Sequence, residues 1–171
     1  MALVLDGSNN AVYIQGSPLA GLQLSGYGQV TLPNQPAWLC GWNGSMATTT
    51  TLTIPTGWVT PVFNVGGYFN TATGLFTSPV AGRYYVFGSF LRTSGVVVCR
   101  GNFYVNNTTQ GGQYRTTEGF TGYNNSCSHS AIVSVSAGDT ISFRISSDSA
   151  FTIYNDGGGL NYNYFGGYFL G

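Results

Sequence analysis

The stretch Asn64-Val65-Gly66-Gly67-Tyr68-Phe69-Asn70-Thr71-Ala72-Thr73-Gly74-Leu75-Phe76-Thr77-Ser78-Pro79-Val80-Ala81-Gly82-Arg83-Tyr84-Tyr85 decides the fold. Gly74 and Gly82 stand where turns commonly need a positive φ, and Pro79 fixes a bend between strands. The stretch runs into Gly82 to Arg92, whose side chains alternate with a period of two. Tyr84, Val86, Gly88 and Phe90 share one face, and Tyr85, Phe87, Ser89 and Leu91 share the other. A half-solvated strand carries polar residues on its wet face, whereas both faces here are apolar, so one is expected to meet the core and the other a second subunit. The last strand repeats the pattern, with Tyr164, Gly166, Tyr168 and Leu170 opposite Phe165, Gly167 and Phe169. The subunit interface is assigned to Tyr84, Val86, Phe90, Tyr164, Phe165, Tyr168 and Phe169.

Outward from this stretch the chain reads as strand and turn without a helix, because Gly or Asn interrupts every 3.6-residue period. Candidate strands are Ala37 to Trp42, Thr50 to Ile54, Pro61 to Asn64, Gly66 to Asn70, Leu75 to Phe76, Gly82 to Arg92, Val96 to Asn106, Gly111 to Phe120, Ser128 to Val135, Thr140 to Ser146, Phe151 to Tyr154 and Tyr162 to Leu170. These are too many for one open sheet, so two packed sheets or a barrel are expected. Pro33 and Pro36 mark a boundary. Before it, residues 1–35 hold short triplets, Leu3-Val4-Leu5, Val12-Tyr13-Ile14, Leu22-Gln23-Leu24 and Val30-Thr31-Leu32. Each triplet is too short to stand alone, so the segment reads as an arm that orders by pairing with its equivalents or docking on a support, or else as a leader that merely precedes the domain. Leu3, Leu5, Val12, Ile14, Leu22 and Leu24 are its candidate attachment residues.

Of the 171 residues 43% are hydrophobic and 15% aromatic, but only 6% are charged, against about 25% in an ordinary soluble domain. A chain this poor in charge is expected to hide much of its exterior against copies of itself or a larger particle, the alternative being a monomer coated in Ser, Thr and Asn. Net charge is zero, lysine is absent, and the five arginines (Arg83, Arg92, Arg100, Arg115, Arg144) are scattered, so nucleic acid and membrane are not expected partners. Met1 to Tyr13 has neither the cationic nor the apolar region of a secretion signal, and the expected site of synthesis and folding is a cytoplasm. The Asn-x-Ser/Thr triplets at Asn43, Asn106, Asn107 and Asn124 then imply no glycosylation.

Chemistry finds little to work with. Asp6, Glu118, Asp139, Asp148 and Asp156 form no carboxylate pair at useful spacing, and His129 is the one histidine, so no enzyme activity and no cofactor are expected. Cys127-x-His129 is not a usual zinc spacing, and Asp148 and Asp156 read as turn residues, so no metal is expected either. Cys40, Cys99 and Cys127 are an odd count and read as buried free thiols. Asp139 after Gly138 is suited to accept hydrogen bonds from turn backbone.

The opening stretch closely resembles the signature of the complement C1q-like domain, a tumour-necrosis-factor-like jelly roll. Ala137-Gly138-Asp139-Thr140-Ile141 resembles the turn that launches that family's penultimate strands, and Phe165-Gly166-Gly167-Tyr168-Phe169-Leu170 its closing strand. The likeness spans about residues 36 to 171. It implies an all-β, ten-strand jelly-roll sandwich assembling as a homotrimer, with aromatic side chains near the threefold axis and ligands bound on exposed loops or between subunits. Val86 departs from the pattern, standing where the family usually has an aromatic residue. There is no Gly-x-y repeat for a collagen stalk. With the β-rich leader, these departures point by analogy to the C1q-like domains of phage particles. The expected role is a structural component of a phage virion surface, a capsid decoration (cement) trimer or short fibre, assembled in the host cytoplasm and joined to major capsid or other virion proteins through residues 1–35. The alternatives are a tail adhesin for host surface glycan, with Tyr114, Tyr123, Asn124 and Tyr162 as contacts, and a free C1q-like lectin.

Overall fold

The computed structural model describes residues 3–6, 11–14, 21–24, 30–31, 34–43, 51–92, 97–107, 115–120, 125–147, 153–154, 160 and 162–171. The chain divides into two compact units, Met1–Gln35 and Pro36–Gly171.

In the first unit, β1 (Leu3–Asp6), β2 (Ala11–Ile14), β3 (Gly21–Leu24) and β4 (Val30–Thr31) form a four-stranded antiparallel sheet in chain order. The triplets read from the sequence thus find partners within their own chain. The register pairs Leu3 with Ile14, Leu5 with Val12 and Val12 with Leu22.

The second unit is a sandwich of two five-stranded antiparallel sheets. Its strands are β5 (Ala37–Gly41), β6 (Phe63–Asn64), β7 (Phe69–Asn70), β8 (Leu75–Thr77), β9 (Gly82–Arg92), β10 (Val97–Val105), β11 (Arg115–Phe120), β12 (Asn125–Val135), β13 (Thr140–Ser147) and β14 (Tyr164–Phe169). One sheet has the order β12-β9-β14-β5-β6 and the other β11-β10-β13-β8-β7. Neighbours distant in sequence, such as β14 between β9 and β5, make this a jelly roll. The described parts of two expected strands each make a single bridge, Thr53 with Ile145 and Ile153 with Arg92.

The motif does in space what its residues foretell. Asn64 brackets the short 3-10 turn Val65–Gly67, its Oδ1 accepting from Phe69 N at 3.0 Å and its Nδ2 donating to Phe69 O at 2.9 Å. Gly74 has φ +69 and Gly82 φ +147. At Gly74 a Cβ would come within 2.4 Å of Trp58 Nε1, so glycine is needed there for space as well as for conformation. Asp139 Oδ2 accepts from Ser136 N at 2.7 Å, closing the turn before β13.

The core lies between the sheets and is largely aromatic. Trp38, Trp42, Phe76, Tyr84, Phe90, Phe143 and Phe165 are all fully buried. This corrects part of the interface assignment. Tyr84, Val86, Phe90 and Phe165 face the opposite sheet inside the chain's own core, where no second subunit reaches them. Phe169 is half-buried and packs on the Tyr84 ring at 5.1 Å. Both faces of β9 are indeed apolar, but the inward one is Tyr84, Val86, Gly88 and Phe90.

Candidate functional site

The outward face of the β12-β9-β14-β5-β6 sheet is the candidate site, and strand register builds it. One row runs Ile132, Tyr85, Tyr168, Ala37 across four strands. The adjoining row runs Ser130, Phe87, Gly166, Leu39, Phe63 across all five. Tyr85 and Tyr168 lie 5.5 Å apart between ring centroids, and Phe87 meets Tyr164 edge-on at 6.2 Å. Gly166 forms the bed for Phe87, because a Cβ there would sit 2.7 Å from Phe87 Cζ and 2.8 Å from Trp38 O.

The face is apolar and open to solvent in the single chain. Ile132 is 53% exposed, Tyr168 43% and Phe63 42%. A polar margin adjoins it on β12 and β9, where Ser89 Oγ lies 3.1 Å from both Ser126 Oγ and Ser128 Oγ. Tyr85, Phe87, Gly88, Ser128, His129, Ser130 and Tyr164 bound an open groove of about 330 Å³ on this face. An exposed aromatic patch with a polar margin is the usual form of a protein–protein contact surface.

Of the residues assigned to an interface from the sequence, Tyr164 and Tyr168 lie on this face, while Tyr85, Phe87, Ile132, Leu39 and Phe63 were missed. The signal for them was in β12. Ser126, Ser128, Ser130, Ile132 and Ser134 alternate there with Cys127, His129, Ala131, Val133 and Val135, and the serines mark the outward side. Pairing of Ile132 with Tyr85 then carries that side onto β9.

His129 and the thiols are held in apolar surroundings. His129 is buried against Phe90, with ring centroids 6.1 Å apart and planes 19° from parallel, and burial pushes its pKa down to about 4. Cys40 and Cys127 are buried free thiols, and burial raises the Cys40 pKa to about 11, although its thiol donates to Val59 O at 3.1 Å. Among the described residues no group of three His, Cys, Asp or Glu side chains could hold a metal ion. Of the expected glycan contacts, Tyr162 is 42% exposed and stands edge-on to Tyr154 at 5.9 Å. Buried Asn163 fixes that pair, its Oδ1 accepting from Leu91 N at 3.0 Å and its Nδ2 donating to Tyr154 O at 2.6 Å. Tyr114, Tyr123 and Asn124, like Asp148 and Asp156, lie outside the described residues.

Comparison with known proteins agrees with this architecture. The chain is similar in fold to the globular domain of zebrafish complement 1qA protein, at 16% identity and TM-score 0.52, covering 80% of this chain and 98% of that one. It is also similar to murine APRIL (13% identity, TM-score 0.56, 80% and 99% covered) and to Eiger TNF from S. frugiperda (14%, 0.55, 81% and 94%). No curated protein sequence matches it. The family model described as the C1q domain matches residues 45–170, and the chain belongs to the C1q domain family.

Proposed function

We propose that the chain is a non-enzymatic assembly module that closes as a homotrimer around the outward face of the β12-β9-β14-β5-β6 sheet. The observation that carries this is the pair of apolar cross-strand rows through Tyr85 and Phe87, left open to solvent in the single chain. C1q-like and tumour-necrosis-factor-like domains typically trimerise, and a 6% charge content fits a chain whose exterior is shared among copies.

The setting we propose is the outside of a phage particle, as a capsid decoration trimer or short fibre. In this reading residues 1–35 hold the particle through Leu3, Leu5, Val12, Ile14, Leu22 and Leu24, while the jelly roll projects. Deleting residues 1–32 then leaves a soluble trimer that no longer joins purified particles. Loss of trimerisation in the truncated chain would instead place the assembly determinant in the arm. A free C1q-like lectin is the second reading, favoured by the complement protein among the structural neighbours and by the exposed Tyr154–Tyr162 pair. It predicts glycan binding by the truncated chain and no association of the full chain with particles.

A further inference from the structure

The two ends of the sandwich expose different things. Pro36, the first residue of the second unit, sits at one end, where its carbonyl accepts from Phe169 N at 3.0 Å as β14 finishes. Tyr162 stands just before β14 begins at Tyr164, so roughly 20 Å of strand separates it from that junction. At this far end Tyr154 meets Tyr162 edge-on at 5.9 Å, and the two side chains are 41% and 42% exposed.

Buried hydrogen bonds fix the pair in place. Tyr154 N donates to Leu91 O at 2.8 Å, Leu91 N donates to Asn163 Oδ1 at 3.0 Å, and Asn163 Nδ2 donates to Tyr154 O at 2.6 Å, which closes a circuit. Asn163 is wholly buried, and its own carbonyl accepts from Trp42 N at 3.3 Å, anchoring the residue after Tyr162 to the core. Exposed rings whose backbone is already ordered are preorganised, so a ligand stacking on them costs little further ordering. Neither ring belongs to the cross-strand rows of the proposed trimer contact.

Size decides what fits. The exposed parts of the two side chains amount to on the order of 200 Å², far short of the about 800 Å² that each partner buries in a stable protein contact. The occupant is therefore small. Tyr154, Tyr162, Asn163, Leu91 and Trp42 are all uncharged at neutral pH, so nothing in the circuit selects an ion. The rings stand on the surface, whereas a free small molecule needs a site that buries most of it. One residue of an oligosaccharide meets these terms, since its C–H face suits the negative face of an aromatic ring and its hydroxyls stay in water.

We infer that Tyr154 and Tyr162 bind a neutral sugar residue of an oligosaccharide, stacked on their rings. The inference rests on the glycan-binding reading and deepens it by naming the site and the ligand.

The test is binding of the full chain to an array of neutral oligosaccharides of hexose, deoxyhexose and N-acetylhexosamine, at 0.15 M and again at 0.5 M salt. Binding of at least one, unchanged by salt, is expected. Tyr154→Ala and Tyr162→Ala each weaken it roughly tenfold. Tyr154→Phe and Tyr162→Phe, which keep the rings, stay within about threefold of the unaltered chain. Val62→Ala, at a side chain 60% exposed elsewhere on the domain, leaves binding unchanged. Melting temperatures check that each variant folds. Binding that survives both alanine variants in folded protein overturns this site and leaves the glycan-binding reading standing. No binding of any neutral oligosaccharide overturns both. Binding abolished at 0.5 M salt, or weakened as much by phenylalanine as by alanine, overturns stacking of a neutral sugar on the rings.

Discussion

Gly101 on β10 and His129 on β12 meet across the sandwich so closely that a Cβ at Gly101 would lie 2.3 Å from the His129 ring carbon Cδ2. The imidazole therefore occupies the space a side chain at 101 would need, between two sheets that both carry aromatic rings around it. Glycine here is set by the neighbour opposite and not by a turn.

That burial gives stability a pH dependence with a definite sign. The unfolded chain takes up the His129 proton near 6.5 and the folded chain only near 4, so the unfolded state holds more protons between those values. Stability is complete above about pH 6.5 and falls as pH drops towards 4, by on the order of 3 kcal/mol. Asp139 acts lower on the scale, because its bonds to Asn106 and Ser136 hold its carboxyl below 3.8 and their contribution is lost only under that pH. Denaturant melts between pH 7 and 4 check this. His129→Phe should flatten the dependence in that window, and an unchanged slope would show that another group titrates there.

Two glycines should resist enlargement for different reasons. Gly101→Ala forces the His129 ring aside and is expected to cost about 1–3 kcal/mol. Gly167→Ala should cost more, since its Cβ would meet Trp38 Cη2 at 2.5 Å and the backbone oxygen of Tyr85 at 2.7 Å, and the backbone cannot swing away. Trp38 itself is stacked on Phe76 of the other sheet at 3.8 Å. Urea unfolding of the two variants checks the order.

The thiols give a third prediction. Cys40 and Cys127 are buried, and a pKa of about 11 leaves Cys40 almost wholly protonated at pH 8. In a Cys99→Ser background, a disulfide reagent at pH 8 should label neither thiol in the folded protein and both after denaturation. Rapid labelling of the folded form would show that the core opens far more readily than its packing implies.

The outward face of β12 and β14 supplies the fourth. Ile132→Asp and Tyr168→Asp each put a carboxylate on a side chain that is 53% or 43% exposed in the single chain, so the fold of each subunit should survive. Each charge falls in the proposed subunit interface, where an unpaired carboxylate is strongly unfavourable. Near-native circular dichroism with a lowered molecular mass is the expected result. Tyr154→Asp, on an exposed loop outside that face, should leave the mass unchanged.

Much of the sandwich was legible because its turns are spelled by residues with single uses. Gly74, Gly82 and Asp139 do in the structure what their chemistry requires, and the motif between Asn64 and Tyr85 places β8 and β9, whereas Gly66 and Gly67, read as the start of a strand, lie in the 3-10 turn and leave only Phe69–Asn70 as β7. The side of β9 that faces inward was not legible from β9 alone, since Tyr84, Val86 and Phe90 are no more apolar than Tyr85, Phe87 and Leu91. The serines of β12 resolve it, but only once the register of β12 against β9 is known. The arm's triplets, read as ordering against partner copies or a support or else as a simple leader, also pair with one another, Val12 with both Leu5 and Leu22.

Sedimentation equilibrium of the full chain at micromolar concentration tests the central claim most directly. A single species at three times the 18.1 kDa chain mass is predicted, reduced towards one chain by Tyr168→Asp. A soluble, monodisperse species of one chain mass in the unaltered protein would contradict the account, because the rows through Tyr85 and Phe87 would then face water without a partner.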